Sequence, residues 1–433
     1  MIFRAPIYYK EFQCIADKCK ENCCAAGWEI DIDKETAEYY KKLPGELGNR
    51  LRENIDFGES LKLNDKSLTL NNGFPKNIEE NPTLNNEFPK NIEENPTLNN
   101  EIPKNIEENP TLNNEIPKNI EENSTINNEK NTTNNPHFKL NKCGKCAFLN
   151  DQNLCELYIK LGPEKLGYIC KEHPRYYEWF NNVKEAGIGL CCEEAARIIL
   201  SQTQAFETYE AQINEENSDN FDANLYEFLE TSRSKIIKYL ENGTQPIYEK
   251  ISNILDFAYN LQDDIKDGWL MEEEIPEEKG KNEEDLKTRQ VCNFLTDNEI
   301  EKLINLIKCL ATLETNNPKW KKILNQATTS FKEYKSNYNK YQNANPERER
   351  YLKNLAIYFI WRYFMKATYD EDVLSKVEFM VASIHIIDYL LFVRWYYKGS
   401  LDLQNYIEIA KRYSEEIEYN EENLKKLVVF FKK

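Results

Sequence analysis

The sequence predicts a mainly α-helical protein in which a small, irregular cysteine-rich metal-binding module is followed by a helical domain. Ten of the twelve cysteines lie between residues 14 and 192. From residue 204 onward, apolar residues recur with the spacing of amphipathic helices. A polar 14-residue repeat interrupts the cysteine-rich part, and it is too poor in apolar residues to build a core.

The predicted organisation has four segments in chain order. Residues 1–65 are the first half of the cysteine-rich module, and 66–136 are the repeat insertion. Residues 137–203 are the second half of the module, and 204–433 are the helical domain, with an acidic loop near 271–287.

The repeat begins at Phe74 and recurs four times, to Glu129. Each unit holds only two or three apolar side chains, and the prolines in most units interrupt helices and limit strand pairing. We therefore expect a disordered insertion that arose by repeat expansion, rather than a stacked solenoid. The two cysteine groups then form one module, and the loop between them returns near its starting point.

After Cys192 the pattern becomes helical. One apolar stripe begins at Leu225 and Gly243 ends it, and Pro246 opens the next run. The stripes are Leu225, Phe228, Leu229, Ile236, Tyr239 and Leu240, then Ile247, Ile251, Ile254, Leu255, Ala258 and Leu261.

Two later segments are also expected to be helical, the aromatic-rich Tyr351–Tyr369 and the apolar Val377–Tyr396. They contain charged residues, including Arg362, Lys366 and Asp388, and this favours buried helices over membrane spans. Cys309 lies on another helical apolar stripe, and we expect a packed core thiol there.

The formal net charge of −18 argues against a general nucleic-acid binder, because contact with phosphate needs a basic face. An acidic surface suits a basic or lysine-presenting partner, although a merely solvated acidic surface is the commoner case. Residues 1–7 lead directly into charged residues, without the apolar run of a signal peptide or a membrane span. We therefore expect a cytoplasmic protein with no membrane partner, whose cysteines are metal ligands or redox groups before disulfides.

Dense cysteines in a reducing compartment favour metal binding, either iron–sulfur or zinc. Only Cys143-x2-Cys146 resembles a zinc knuckle, and the other, irregular spacings suit an iron–sulfur cluster better. The side chains of the adjacent residues Cys23 and Cys24 diverge in either a strand or a helix, so both are not expected on one small cluster. One of them is then structural or serves a second site. A radical-enzyme loop is not predicted, because Cys19-x3-Cys23 lacks the third cysteine.

Other chemistries have weaker support. Gly187-Ile188-Gly189 lacks the third glycine and the preceding strand of a dinucleotide-binding loop. His385 lies among isoleucines and is expected in the core. His137 and His173 lie near cysteines and are candidate metal ligands.

The cysteine segments resemble the flagellin lysine-N-methylase family. The resemblance rests on four pieces: Phe12-Gln13-Cys14-Ile15 with Cys19 and Cys23-Cys24 before Gly27-Trp28; Cys146-Ala147-Phe148-Leu149 with Leu154-Cys155; Cys170 before Pro174-Arg175; and Cys192 before Ala195-Ala196-Arg197. It is firm over residues 6–35 and 138–203 and looser in the helical half.

The resemblance implies methyl transfer from S-adenosylmethionine to lysines of flagellin and a cysteine-bound iron–sulfur cluster, expected to be 4Fe-4S, with zinc as the alternative metal. Eight cysteines match the family pattern: Cys14, Cys19, Cys23, Cys24, Cys146, Cys155, Cys170 and Cys192. Cys143 and Cys191 are extra. This chain departs from the family at His173, where tyrosine is usual, and at Glu193, where proline is usual.

The remaining candidate residues are polar. Arg175 and Arg197 are candidates to clamp the carboxylate of the methyl donor, although structural salt bridges are equally expected. Four acidic residues are candidates to receive the substrate lysine: Asp31, Asp33, Glu193 and Glu194. The alternative is that they lie on a solvated face or in the first turn of a helix. No catalytic base is identified. The alternatives to an enzyme are a non-enzymatic module that binds or delivers iron or zinc and a degenerate relative that binds flagellin without modifying it.

Overall fold

The computed structural model describes residues 1–25, 27–28, 30–58, 135–215, 222–268, 275, 297–315 and 317–431. Residues 1–58 and 133–433 belong to one compact unit. The repeat of residues 74–129, Cys292 and all of the acidic loop except Ile275 lie outside the described residues.

The chain before residue 216 combines short strands with short helices. In chain order the elements are β1 (Ile2–Pro6), β2 (Ile30–Asp31), α1 (Lys34–Lys42), α2 (Gly45–Asn54), β3 (Ile55–Asp56), β4 (His137–Phe138), α3 (Glu156–Leu161), α4 (Tyr168–Glu172), β5 (Arg175–Phe180), β6 (Val183–Ile188), α5 (Glu193–Ser201) and β7 (Thr208–Gln212).

From residue 222 the described elements are helical. They are α6 (Ala223–Glu241), α7 (Ile247–Asp267), α8 (Asp297–Thr312), α9 (Pro318–Thr329), α10 (Phe331–Ala344), α11 (Arg348–Tyr363), α12 (Ala367–Asp370), α13 (Val373–Lys398), α14 (Leu403–Tyr413) and α15 (Glu421–Phe431). The expectation of a mainly helical protein is therefore confirmed.

The ends of the first long helices follow from the sequence. Asp222 accepts hydrogen bonds from the first N–H groups of α6. Pro246 precedes α7 and has no N–H to leave unpaired, and Gly268 ends this helix in the left-handed conformation. The predicted apolar stripes face inward, since Leu229 and Ile254 are completely buried.

Helix α13 lies in the middle of the helical half, where it contacts α7, α10, α11 and α14. Its Asp388 is completely buried and accepts two hydrogen bonds from Arg348, at 2.7 Å and 2.6 Å. Tyr341 donates to the same carboxylate at 2.8 Å. Asp388, one of the charges that argued against a membrane span, is thus paired with Arg348 inside the core. No helix in the described ranges is long and apolar enough to cross a membrane.

A four-stranded sheet, which the sequence analysis did not predict, has the order β5-β6-β1-β7. Strand β1 runs parallel to β6 and antiparallel to β7. Arg233 of α6 makes a bidentate contact with Glu185 of β6, with both N–O distances at 2.6 Å and both residues buried. This buried pair joins the sheet to the first long helix.

A second, small sheet has the order β2-β4-β3. Strand β4 pairs with both others, so that Phe138 lies opposite Ile30 on one side and Ile55 on the other. The residues on either side of the insertion are therefore adjacent, as expected for two halves of one module. The domain boundaries themselves remain predictions.

Candidate functional site

Four of the predicted cysteine ligands share the small core beneath this second sheet. Cys146 is buried there, and Cys24, Cys155 and Cys170 pack against it. The N–H of Cys146 donates to the carbonyl of Cys24 at 2.8 Å, which joins the chain before the insertion to the chain after it. Cys155 immediately precedes α3, and Cys170 lies within α4. We call these four residues the inner cysteine set.

Thiol–thiol hydrogen bonds shift the pKa values at the centre of this group. A hydrogen bond with Cys24 lowers the pKa of Cys23 to about 7 and that of Cys146 to about 7. The same two contacts raise the pKa of Cys24. These contacts place three thiols side by side, and thiols must lose their protons when they bind a metal.

The other four predicted ligands form what we call the outer cysteine set: Cys14, Cys19, Cys23 and Cys192. Three of them lie on the N-terminal loop, and Cys192 precedes α5. The N–H of Lys20 donates to Glu193 Oε2 at 2.9 Å, which holds this loop at the start of α5. Burial raises the pKa of Cys19 to about 12, and nearby Cys192, Glu193, Cys14 and Cys23 add to the effect.

The chemistry of these donors fits a metal, since eight thiols in one neighbourhood are the ligands that zinc and iron–sulfur clusters take. Their positions are not yet those of a coordination site. Within the described residues, no group of three or more Cys, His, Asp or Glu side chains is arranged to hold a metal ion. Metal binding therefore requires the thiols to turn toward common centres.

The remaining described cysteines have other surroundings. Cys143 is exposed, whereas Cys191 is buried and hydrogen-bonded to Tyr419. Cys309 lies on α8 next to the buried Leu310, but it is itself only half-buried.

A group of ion pairs holds the cysteine loop against the helical half. The Glu21 carboxylate pairs with Arg412 and Lys319, and Lys411 Nζ lies 4.0 Å from it. Arg412 also pairs with the buried Glu415 at 2.6 Å. Burial opposes the ionisation of Glu21, but its cationic neighbours outweigh burial and lower its pKa.

A cluster of tyrosines surrounds Arg362 of α11, on the side of the helical half that faces the cysteines. The ring centres of Tyr176 and Tyr419 lie 4.6 Å and 4.8 Å from its guanidinium carbon. Arg362 Nη1 lies 3.4 Å from Glu418 Oε1. Glu418 belongs to a π-helical turn, Ser414–Glu418, a geometry that is frequent at functional sites. We call this group the Arg362 cluster.

Tyr419 connects the Arg362 cluster to the N-terminal loop. Its ring stacks on Trp28, with centroids 5.9 Å apart and an interplanar angle of 13°. His173 meets Trp28 edge-on at 6.0 Å. Burial, helped by Lys411, lowers the pKa of His173 to about 4, so this imidazole is neutral near pH 7.

The glycine pair that resembles a dinucleotide motif has a packing role. A Cβ atom at Gly187 would overlap the phenol of Tyr176, and one at Gly189 would overlap that of Tyr419. These glycines therefore admit the two rings that flank Arg362.

The predicted arginine sites are occupied by contacts within the protein. Arg197 makes a bidentate contact with Glu194, at 2.8 Å and 2.6 Å. The guanidinium of Arg175 lies over the rings of Tyr9 and Phe12, at 5.6 Å and 5.1 Å. A role for either arginine in holding the methyl donor remains a prediction.

The acidic candidates and His137 also have structural partners. Asp33 accepts from the N–H groups of Thr36 and Tyr168, both at 2.9 Å, and thereby caps α1. Asp31 lies opposite His137 in the small sheet. Besides the N–H of Lys20, Glu193 accepts a hydrogen bond from Gln404 at 3.3 Å. These positions agree with the structural alternative for the acidic residues.

Sequence reasoning missed the Arg362 cluster and the ion pairs of Glu21. Arg362 was noticed only as a charge in an aromatic helix, and its partners come from segments up to 186 residues away (Tyr176 against Arg362). One available signal was the Gly187-x-Gly189 pair, which leaves space for large rings.

Two clefts lie elsewhere on the described surface. One, of about 520 Å³, is lined by residues around Gly243 and Arg348, and the other, of about 330 Å³, by residues around Tyr8 and Phe206. Neither is lined by a cysteine of the inner or outer set.

Residues 233–433 match the family model of the FliB lysine N-methylase C-terminal domain. This span contains Arg362 and the π-turn of Glu418 but none of the eight predicted ligand cysteines. No curated protein and no solved structure matches the chain.

The matched domain supports a protein-lysine methyltransferase. This match supports the family predicted from the cysteine motifs, the flagellin lysine N-methylases. The match falls on the helical half, where the resemblance was looser, and is therefore independent of the cysteines.

Proposed function

We propose that this protein transfers methyl groups from S-adenosylmethionine to lysine side chains of flagellin and depends on a cysteine-bound iron–sulfur cluster. One observation carries the proposal. The loop that bears the predicted ligands is packed, through Trp28 and Glu21, on Tyr419 and Arg412 of the matched methylase domain.

The chain's own residues suit this chemistry at the junction between the loop and the domain. The lysine must lose its proton, from an ordinary pKa of about 10.4, before its Nζ can bond to the methyl carbon that leaves the sulfonium sulfur. A desolvated aromatic site favours the neutral amine. The faces of Trp28 and Tyr419 also suit a sulfonium cation. We expect the amine to lose its proton to solvent as it enters this site, because burial lowers the pKa of His173, beside Trp28, to about 4 and makes this imidazole a weak proton acceptor.

The eight cysteines of the inner and outer sets are the residues proposed to hold the metal. When bound, an iron–sulfur cluster supplies one-electron chemistry or structural support. A cytoplasmic location, where flagellin is modified before export, remains part of the proposal.

The test combines anaerobically prepared, metal-loaded protein with S-adenosylmethionine and flagellin from the same source. Peptide mass spectrometry measures methylation of flagellin lysines. We expect new methyl groups with the unchanged protein and with the Cys143→Ser control, and loss of at least about tenfold with Cys155→Ser or Cys170→Ser. Absence of methylation by fully loaded protein would overturn the proposal.

A second candidate is a non-enzymatic module that binds or delivers iron or zinc, and the density of thiols favours it. Titration of S-adenosylmethionine into the loaded protein distinguishes the two. A metal carrier gives no binding heat, whereas the methyltransferase binds the donor, and Trp28→Ala weakens that binding.

A further inference from the structure

We propose that the cleft of about 330 Å³ around Tyr8 and Phe206 binds a lysine or arginine side chain of the protein substrate, on the same segment as the lysine that is methylated. This inference rests on the proposed function, because it names the surface that recognises a lysine-presenting partner. We call this surface the Tyr8 cleft. The lining residues that carry the argument are Ile7, Tyr8, Glu11, Phe206, Glu207 and Glu241.

The charge of the Tyr8 cleft is the first argument. Three glutamates line it, Glu11, Glu207 and Glu241, and no lysine or arginine is among its described lining residues. Lys353 neutralises Glu241 from 2.9 Å away. Neither Glu11 nor Glu207 forms a salt bridge with any described residue. Two carboxylates in the cleft therefore still lack a cation at close range, and a basic side chain of a partner would supply one.

Arg197 is the described cation that acts most directly on Glu11, since the two side chains interact electrostatically. Its guanidinium is already engaged by Glu194, in a bidentate contact at 2.8 Å and 2.6 Å. Arg350 approaches the cleft from another side, where it donates to the carbonyl of Gln202 at 3.3 Å, and it is likewise paired with a carboxylate. Both flanking arginines thus bring their own counter-charges, and the cleft keeps its negative balance.

A nearly buried hydroxyl without a partner is the second argument. Tyr8 lines the cleft and is only 8% exposed, and its hydroxyl makes no hydrogen bond with any described residue. Buried polar groups of side chains normally have a hydrogen-bond partner. A phenol can accept from an ammonium group or donate to a backbone carbonyl, and a bound polypeptide segment offers both.

The apolar walls of the cleft suit the methylene chain of a lysine. The rings of Tyr8 and Phe206 meet edge-on, with centroids 6.3 Å apart, and Phe206 packs on Trp361 at 5.4 Å. Ile7 is 47% exposed, which is unusual for so large an apolar side chain. Lysine and arginine bury their apolar stems on such surfaces and keep the charged group at polar atoms. Apolar walls beside carboxylates therefore favour a basic side chain over an acidic or a neutral one.

The backbone that carries the two glutamates is held in place. The N–H of Ile7 donates to the carbonyl of Glu207 at 2.9 Å, immediately beside the pairing of Pro6 in β1 with Thr208 in β7. The N–H of Phe206 donates to Glu241 at 3.3 Å. The cleft is therefore formed before a partner arrives, and this reduces the entropy that binding costs.

The position of the cleft sets the spacing to the methylated lysine. Glu11 lies three residues before Cys14, and Ile199, another lining residue, lies seven residues after Cys192 along α5. Seven residues of helix measure about 10 Å along the axis. The proposed reaction region, where the N-terminal loop meets the helical half, adjoins the start of this helix. An extended chain covers about 10 Å in about three residues, so we expect the docked basic residue at least about three positions from the methylated lysine.

The first experiment measures binding without the methyl donor, by biolayer interferometry on full-length, metal-loaded protein. The ligands are flagellin from the same source and a pair of synthetic peptides of one flagellin sequence, with free lysines in one and acetylated lysines in the other. We expect the free peptide and flagellin to bind, with an affinity that falls in high salt, and acetylation to weaken binding about tenfold or more. Equal affinity for the two peptides, or no binding of flagellin and of the free peptide, would overturn the proposal.

Variants of the cleft locate the binding. The double variant Glu11→Gln/Glu207→Gln should weaken binding of flagellin and of the free peptide about tenfold. Glu38→Gln/Asp263→Asn is the matched control, since it removes two exposed carboxylates outside the cleft.

A third variant fills the space instead of changing the charge. Ala205 is exposed and lines the cleft, so Ala205→Trp should reduce binding at least as much and leave the fold intact, as judged by thermal unfolding. Unchanged affinity in either the double glutamate variant or Ala205→Trp would refute the assignment of the cleft.

The same variants separate this inference from the proposed function. In the methylation assay, the double glutamate variant should raise KM for flagellin and leave kcat unchanged. Methylation with an unchanged KM would overturn the role of the cleft alone. Binding that depends on the two glutamates, without any methylation by the wild-type protein, would overturn the proposed activity and support the cleft.

Discussion

The cysteine-rich module and the helical half are held together by different means. The helical half buries large side chains such as Trp320, Tyr334 and Tyr389 in one extensive core. Part of the module, including Phe180 and Leu190, is buried in the same core. The remainder, around the small sheet in residues 30–58 and 135–172, has its own core of only nine buried residues, and its cysteines are free thiols. A core of that size rarely stabilises a fold alone, and small domains commonly add metals or disulfides. Apolar burial therefore stabilises the helical half, and we expect metal binding to stabilise the part of the module around the small sheet.

Removal of bound metal should destabilise the small-sheet part of the module and leave the helical half folded. We expect this change to have the largest effect on stability. Chelation should unfold residues 30–58 and 135–172, because a structural metal contributes several kcal/mol or more to a small domain. Hydrogen-exchange mass spectrometry should show loss of protection there while residues 223–268 and 317–428 remain protected. Equal protection of both regions before and after chelation would refute the metal dependence.

The corresponding test in the helical half removes a buried ion pair. Asp388→Asn removes the buried counter-charge of Arg348 and leaves it paired only with the exposed Glu349, and loss of a buried partner typically costs about 3–5 kcal/mol. Urea unfolding followed by circular dichroism measures the loss. Asp263→Asn is the matched control, because the Asp263–Lys266 pair is exposed and contributes less than about 1 kcal/mol. A similar small effect of both variants would show that the buried pair is not essential.

The lowered pKa of His173 makes the free energy of unfolding depend on pH at the junction between the two regions. Its folded pKa of about 4 lies below its ordinary value of 6.5, so between these values the unfolded chain binds a proton that the folded protein does not. Its contribution to stability is complete above pH 6.5 and is lost as the pH falls toward 4. Each unit of pKa difference corresponds to about 1.4 kcal/mol. The unfolding free energy measured from pH 7 to 4 should fall less steeply in His173→Gln, and identical slopes would contradict this account.

Glu21 is expected to have the smallest effect. Glu21→Gln removes the charge that Arg412 and Lys319 share and should lower the unfolding free energy by about 1 kcal/mol, because this carboxylate is partly exposed. The loss should shrink in 1 M salt, where exposed ion pairs are screened. Glu38→Gln is the control for an exposed pair within the module. A loss that does not depend on salt would indicate packing rather than charge.

The helices were predictable because their signals are local. The stripe from Leu225 to Leu240 and the stops at Gly243 and Pro246 agree with α6 and the start of α7. The mixed sheet was not predictable, because β1 pairs with strands about 180 to 210 residues later, as in Ile2 with Val183 and Gln212. Short strands with distant partners leave no periodic signal of their own.

The candidate site was also only partly predictable from the sequence. The eight cysteines proposed as ligands follow from order and flanking residues and remain a prediction, whereas the thiols of Cys23 and Cys24, which were expected to diverge, are hydrogen-bonded to each other. Which thiols lie together was not, because Cys24 and Cys146 are separated by the whole insertion. The partners of Arg362 were hidden for a related reason: a single arginine in an aromatic helix does not reveal which distant tyrosines will surround it.

The pairing of β1 has a consequence for the order in which the molecule assembles during translation. Strand β1 has neighbours on both sides in the sheet, yet it leaves the ribosome about 180 residues before β6. At about 5–20 residues per second, this interval lasts on the order of 10 to 40 s. During that time Cys14, Cys19, Cys23 and Cys24 have been synthesised and Cys192 has not. The metal loading that we propose for the outer set would therefore follow synthesis of Cys192, and every added copy of the 14-residue repeat would lengthen this interval.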